Sequence, residues 1–435
     1  MSILLRSAHI IHAESAFNGL TRDVLIENGL IRQIADRIDA PEHTQVIELP
    51  NLHLSAGWVD MRVSTGDPGF EQKEDLTSAC RAAVAGGFTD IAILPNTRPV
   101  VDSKDTLGYV RRMAEGQPVA VHPIAAITKG AKGEDFTDMI DLHHAGAVAF
   151  SDGDHPLQNA DLLLKTLQYL RPLGGLLMNR PEETGLTRFG QMHEGVQSTL
   201  LGLKGMPAMA EELMVARDLR LLAYVLGDTE AIQKKPNTVP MLHFSCLSTA
   251  KSVELIRQAK EQGLPVSCDV AAHQLVFDDT ALAGFDTFLK VNPPFRSRAD
   301  VEALWAGLAD GTIDAIVSDH SPQDDESKQV EFDHAEFGMT GLETVFGALM
   351  SHNPGLPLGQ LIAALTTGPR RVLRLPTSTL AEGEPATFTL FDPSGTWTFD
   401  RSVSKSKNSP FLGQTLTGRV LGTIRGGKLW GRSYS

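Results

Sequence analysis

Between residues 56 and 374 the chain alternates short apolar runs with longer stretches whose apolar positions recur every three or four residues. The runs are Trp58 to Arg62, Phe88 to Pro95, Val119 to Ala126, Ala147 to Asp152, Gly175 to Asn179, Val239 to Ser245, Pro265 to Val270 and Asp314 to His320. Most are apolar almost throughout, as strands covered on both faces of a parallel sheet are. The segments between most of them run to 12 or more residues with helical spacing, as in Ser248 to Gln262. Eight such repeats predict an α/β fold, a (β/α)8 TIM-type barrel. A further run, Phe288 to Pro294, falls in the loop region after the seventh strand.

The two ends follow a different rhythm. Val24 to Ile31 places Asn28-Gly29 between two apolar halves, the signal of a tight hairpin. Ala386 to Asp392 and Val420 to Trp430, the latter with Gly426-Gly427, repeat the style. Neither end has enough apolar residues for a core of its own. Residues 1–55 and 375–435 are therefore expected to combine into one small β-sandwich domain beside the barrel of residues 56–374.

Charge narrows the partners. With 39 basic against 53 acidic residues the net charge is -14, which argues against nucleic acid or an anionic membrane. Met1 to Arg6 lacks the long apolar core of a signal peptide, and no run approaches the roughly 18 apolar residues of a membrane span. The three cysteines, Cys80, Cys246 and Cys268, are widely spaced and odd in number, which suits reduced thiols and a cytoplasmic location.

In such a barrel the chemistry sits at the C-terminal ends of the strands. The polar residues there are Asp60, Arg62 and Ser64 on the first strand, Asn96 after the second, and Ser151 with Asp152 on the fourth. Asn179 follows on the fifth, His243 on the sixth, Asn292 in the loop after the seventh, and Asp319 with His320 on the eighth. Residues i and i+2 of a strand share a face, so Arg62 and Ser64 are a pair. Arginine carries only donors and keeps its charge, so it is no metal ligand.

The chain resembles the dihydroorotases of the amidohydrolase superfamily nearly end to end. The blocks that carry the likeness are Asp67-Pro68-Gly69 through Lys73-Glu74-Asp75, Ala85-Gly86-Gly87-Phe88-Thr89, Pro95-Asn96-Thr97-Arg98-Pro99 and Gly146 to Asp152. It continues in His243-Phe244-Ser245, Val291 to Arg296, Asp319-His320-Ser321-Pro322, Glu336-Phe337-Gly338 with Gly341-Leu342-Glu343-Thr344, and Asn408-Ser409-Pro410-Phe411. The resemblance implies a zinc ion that activates water to open or close a cyclic amide. It also implies which ligand positions are lost here: the two first-strand histidines are Arg62 and Ser64, and the fifth-strand histidine is Asn179. A substrate-gripping arginine corresponds to Gly66, and a substrate-loop histidine to Gln323. His243, Asp319 and Asp152 remain as residual metal candidates, with Asp319 the general base of an active enzyme and Asn96, Asn292 and His320 its substrate contacts.

Three nitrogen ligands are thus missing, and Arg62 puts a fixed positive charge where a dication would sit. The simplest physical reading has the guanidinium replace the metal and pair with Asp319 or Asp152. The expected cofactor is then none. The resemblance further implies a non-catalytic partner of aspartate carbamoyltransferase in pyrimidine synthesis, and a homo-oligomer. Two alternatives stand beside it: an active dihydroorotase or other cyclic amidohydrolase with zinc on Asp152, His243 and Asp319, and a sensor holding an anionic pyrimidine with Arg62, Arg180, Asn96 and Asn292. Each residue also has a plainer role. His243 packs in a core, Asn96 builds a turn, Cys246 is inert, and Asp324-Asp325-Glu326 is a solvated loop or the remnant of a lid.

Overall fold

The computed structural model describes residues 2–227, 239–377 and 379–431. Eight parallel strands follow one another around a single sheet: Trp58–Val63, Phe88–Ile93, Ala120–Ala125, Ala149–Phe150, Leu177–Asn179, Leu242–Phe244, Val266–Ala271 and Ala315–Val317. A parallel bridge from Val63 to His320 brings the eighth back beside the first and closes the barrel at its C-terminal end. Each of the eight apolar runs overlaps one of these strands, and the further run Phe288 to Pro294 overlaps none.

Several helices begin at a side-chain cap. Asp75 accepts from the Ser78 N–H at 2.7 Å, and the Ser78 hydroxyl accepts from the Asp75 N–H at 3.2 Å, starting helix Leu76–Ala85 after the first strand. Inside the barrel, Val59, Met61, Ala92, Ile124, Ala149, Met178, Cys246, Ala271 and Val317 form one buried cluster, drawn from all eight strands or the residues just beyond them. A larger core lies between strands and helices, with Trp58, Phe88, Phe150 and Phe244 among its members.

The two chain ends pair into one continuous eight-stranded sheet. Its seam is strand Phe388–Thr398 running antiparallel to His53–Ala56, Phe388 opposite Ala56. Asn28 and Gly29 both adopt left-handed φ, 51° and 81°, as a two-residue hairpin turn demands. Between the fifth and sixth strands the chain makes an excursion that the repeat pattern does not announce. Met192–His193 pairs with Gly205–Met206 in a small parallel sheet, followed by the long helix Met209–Leu226.

Candidate functional site

The mouth of the barrel is organised around Arg62. Its side chain is only 3% exposed, yet carries a full charge. Nε donates to Asp319 Oδ1 at 2.7 Å and Nη2 donates to Asp154 Oδ1 at 2.6 Å. Burial works against this guanidinium, but the carboxylates of Asp319 and Asp154 beside it help hold its pKa above the ordinary value. Burial likewise pushes the Asp319 carboxyl upward, and the charge of Arg62, then His273, more than reverses this, so Asp319 titrates below its usual range. His273 Nε2 lies 3.4 Å from the second oxygen of Asp319.

The expected partner Asp319 is therefore in place, while Asp152 is not the other one. Asp152 Oδ1 accepts the N–H groups of Ile127 and Thr128, each at 2.9 Å, and Oδ2 accepts the Thr128 hydroxyl at 2.5 Å. Desolvation raises its pKa. The carboxylate that reaches Arg62 lies two residues on, because Gly153 turns the chain at φ 63° and so reverses the strand's alternation. A Cβ on Gly153 would stand 1.7 Å from Asn96 Oδ1. Asn96 braces the turn: its Nδ2 donates to the Asp152 carbonyl at 3.0 Å and its Oδ1 accepts the Asp154 N–H at 3.0 Å. Both ends of the amide are thus engaged within the chain.

The other candidates are held in a similar way. His243 is fully buried, with Nε2 2.8 Å from Asp269 Oδ2 and Nδ1 2.8 Å from the Ser267 hydroxyl. Asn179 donates to Asp218 at 2.7 Å and accepts the Leu157 N–H at 3.2 Å. Burial lifts the Asp218 carboxyl to about 6. Asn292 donates to Glu182 Oε2 at 3.1 Å, and Glu182 pairs with Arg180 at 2.8 Å. His320 turns away from the mouth. Its Nδ1 accepts the Gly341 N–H at 3.2 Å and its Nε2 lies 3.5 Å from Glu74. Ser64 contributes its backbone N–H to the His320 carbonyl. Gln323 accepts from Lys73 Nζ at 2.6 Å. Burial keeps the Cys246 thiol protonated far beyond neutral pH, as an inert role requires.

A zinc site needs three or four converging lone pairs from nitrogen, sulfur or oxygen. Here the Asp319 carboxylate is matched by a guanidinium, both nitrogens of His243 have partners, and the three oxygen contacts of Asp152 come from Ile127 and Thr128. Among the described residues no group of three or more His, Cys, Asp or Glu side chains is placed to hold a metal. The donor set does not fit the ion. A neighbouring hollow lined by Arg180, Glu182, Cys246, Asn292 and Arg296 amounts to about 10 Å³, no more than a single water requires.

Asp154, Asp269, Glu182 and the role of His273 were not read from the sequence. His273 stands just beyond the seventh strand, a position that could have marked it.

Comparison with known proteins gives a consistent result. The profile of a family described as Dihydro-orotase-like matches residues 53–229, and that of the amidohydrolase family matches residues 222–430. A dihydroorotase of Pelotomaculum thermopropionicum is 42% identical over 414 residues, covering 94% of this chain and 93% of the relative. One of Citrifermentans bemidjiense is 39% identical over 434 residues, 99% of each. Among solved structures, the L-hydantoinase of Arthrobacter aurescens superposes with a TM-score of 0.83 at 21% identity, over 98% of this chain and 95% of that one. The dihydropyrimidinase of Brevibacillus agri gives 0.81 at 20% identity, over 99% and 95%. At these identities the structural likeness speaks for the fold.

Proposed function

This chain belongs to the dihydroorotase-like amidohydrolases, and from that premise we propose that it is a non-catalytic member, in which the Arg62 guanidinium stands in for the metal and the barrel serves as a structural partner of aspartate carbamoyltransferase. The observation that carries the reading is the fork from Arg62 to Asp319 and Asp154. A permanent cation already balances the carboxylate that would act as base in a hydrolase, its Nε donating to one oxygen of Asp319 at 2.7 Å. Assembly is favoured by the excursion after the fifth strand, where Phe189, Val196 and Leu200 are 69%, 74% and 73% exposed.

Two measurements test the halves separately. Elemental analysis of the purified chain, with dihydroorotate turnover in added zinc, is expected to give neither bound metal nor turnover. Near-stoichiometric zinc with turnover would overturn the non-catalytic half. Sedimentation of the chain mixed with aspartate carbamoyltransferase from the same cell is expected to give a joint species. Separate sedimentation at micromolar concentration would overturn the partner half and leave the first standing.

A further inference from the structure

One cavity shares no lining residue with the barrel mouth. It has a volume of about 550 Å³ and sits among helix Leu76–Ala85, helix Val345–His352 and the antiparallel strands Phe388–Thr398 and Thr415–Arg425. That volume is within the range of sites for drug-sized molecules, about 300–1,000 Å³. Its floor is aromatic and fixed. The Trp397 indole N–H donates to the Gly418 carbonyl at 2.9 Å, and its ring meets Phe399 edge-on at 5.8 Å, while Trp430 closes another side.

Charge is the second observation. Arg81, Arg401 and Arg419 all line this cavity, and among the described residues none of the three has a carboxylate partner. The one acid in the lining, Glu343, is engaged elsewhere, accepting from the Ser402 hydroxyl at 2.5 Å and the Val403 N–H at 2.9 Å. In a chain of net charge -14, three uncompensated guanidinium groups around one apolar hollow form a local reversal of sign. Flat apolar walls take a ring, and guanidinium groups take a planar or tetrahedral anion through paired N–H donors. We propose that this cavity is a binding site for a planar aromatic anion, one bearing a carboxylate, sulfonate or phosphate group. The site owes nothing to the reading of the barrel mouth and stands or falls apart from it.

The test uses the full chain and 8-anilinonaphthalene-1-sulfonate, read by its fluorescence and by energy transfer from tryptophan. Saturable one-to-one binding is expected, and the uncharged N-phenyl-1-naphthylamine should bind at least tenfold more weakly. The double variant Arg401→Gln/Arg419→Gln should raise the Kd at least tenfold with unchanged far-UV circular dichroism. Displacement by indole-3-acetate alone would assign an aryl carboxylate, and by adenosine 5′-monophosphate alone a nucleotide. Absence of saturable binding, equal affinity for the neutral probe, or displacement by neither competitor would overturn the proposal. The neutral-probe comparison needs no variant and holds even if the substituted chain misfolds.

Discussion

Replacing Arg62 by methionine tests the ion cluster most directly. The substitution keeps much of the side chain's length and apolar volume but removes the charge, leaving Asp319 buried with only His273 beside it. Breaking a buried pair by removing one partner costs about 3–5 kcal/mol, because an uncompensated charge stays behind. Asp154 adds little, since its side chain is 51% exposed and screened by water. At about 2.1 cal/mol/K per residue, 435 residues give an unfolding entropy of about 0.9 kcal/mol/K, so the loss corresponds to roughly 3–6 °C in Tm at pH 8. The pH dependence fixes the cause. In the native chain the Asp319 pKa lies below its unfolded value, so its contribution is present above that value and lost as pH falls through the folded one. In Arg62→Met burial is no longer opposed by the guanidinium and the folded pKa rises above the unfolded one. The penalty is then complete above the raised pKa and disappears as Asp319 takes up a proton. Differential scanning calorimetry from pH 5 to 8 should show the deficit growing with pH. The double variant Arg62→Met/Asp319→Asn should recover most of the loss, since no charge is stranded. A deficit independent of pH, or a double variant that loses the sum of both singles, would refute the reasoning.

Further outcomes follow from other contacts. Arg62→His/Ser64→His frees Asp319 and sets two imidazoles beside it, so zinc retained after dialysis should rise from none toward one per chain; elemental analysis showing no gain would mean that Arg62 is not what keeps the metal out. Gly153→Ala meets both a left-handed φ and Asn96 Oδ1 at 1.7 Å, and should cost about 1–3 kcal/mol by calorimetry; an unchanged Tm would contradict the bracing role of Asn96. Burial pushes the Lys328 ammonium down to about 7, although it donates to the carbonyls of Thr287 and Glu336. The unfolded chain then holds more protons between pH 7 and the ordinary lysine value, so this residue's penalty fades as pH rises, and any advantage of Lys328→Met should shrink from pH 7 to 9.5 in thermal scans. With all three cysteines buried, a thiol reagent should label none in the folded chain and three after denaturation.

The barrel was legible because its signal is long-range and repeated: each apolar run needs two covered faces, and only one arrangement covers eight of them in order. A carboxylate partner for Arg62 was legible from charge, with Asp319 one of the two named, since residues of opposite sign at neighbouring strand ends attract. The other partner was not. Asp152 and Asp154 are two apart, and strand periodicity would favour the one nearer the strand, but the left-handed Gly153 turns the backbone between them. Asn96 read as a substrate contact or a turn residue and Asn292 as a substrate contact; their bonds to Asp154 and Glu182 went unread because an amide's role depends on partners distant in the chain. The excursion that pairs Met192–His193 with Gly205–Met206 went unread because two-residue strands leave no periodicity to detect.

The identity of the residues at the lost ligand positions follows from the charge that remains. An amidohydrolase without its metal retains a buried carboxylate on the eighth strand, and an isolated buried charge costs several kcal/mol. A neutral residue on the first strand would leave Asp319 stranded, whereas a cation there neutralises it and reaches a second carboxylate, Asp154, with the same group. Once one guanidinium has done so, no further charge is needed, and the other two positions are free to be neutral. Ser64 gives its backbone N–H to His320, and Asn179 is turned to a structural use, bonding the buried Asp218. On the proposed reading, Arg62 thus meets the charge of Asp319 while Ser64 and Asn179 add none.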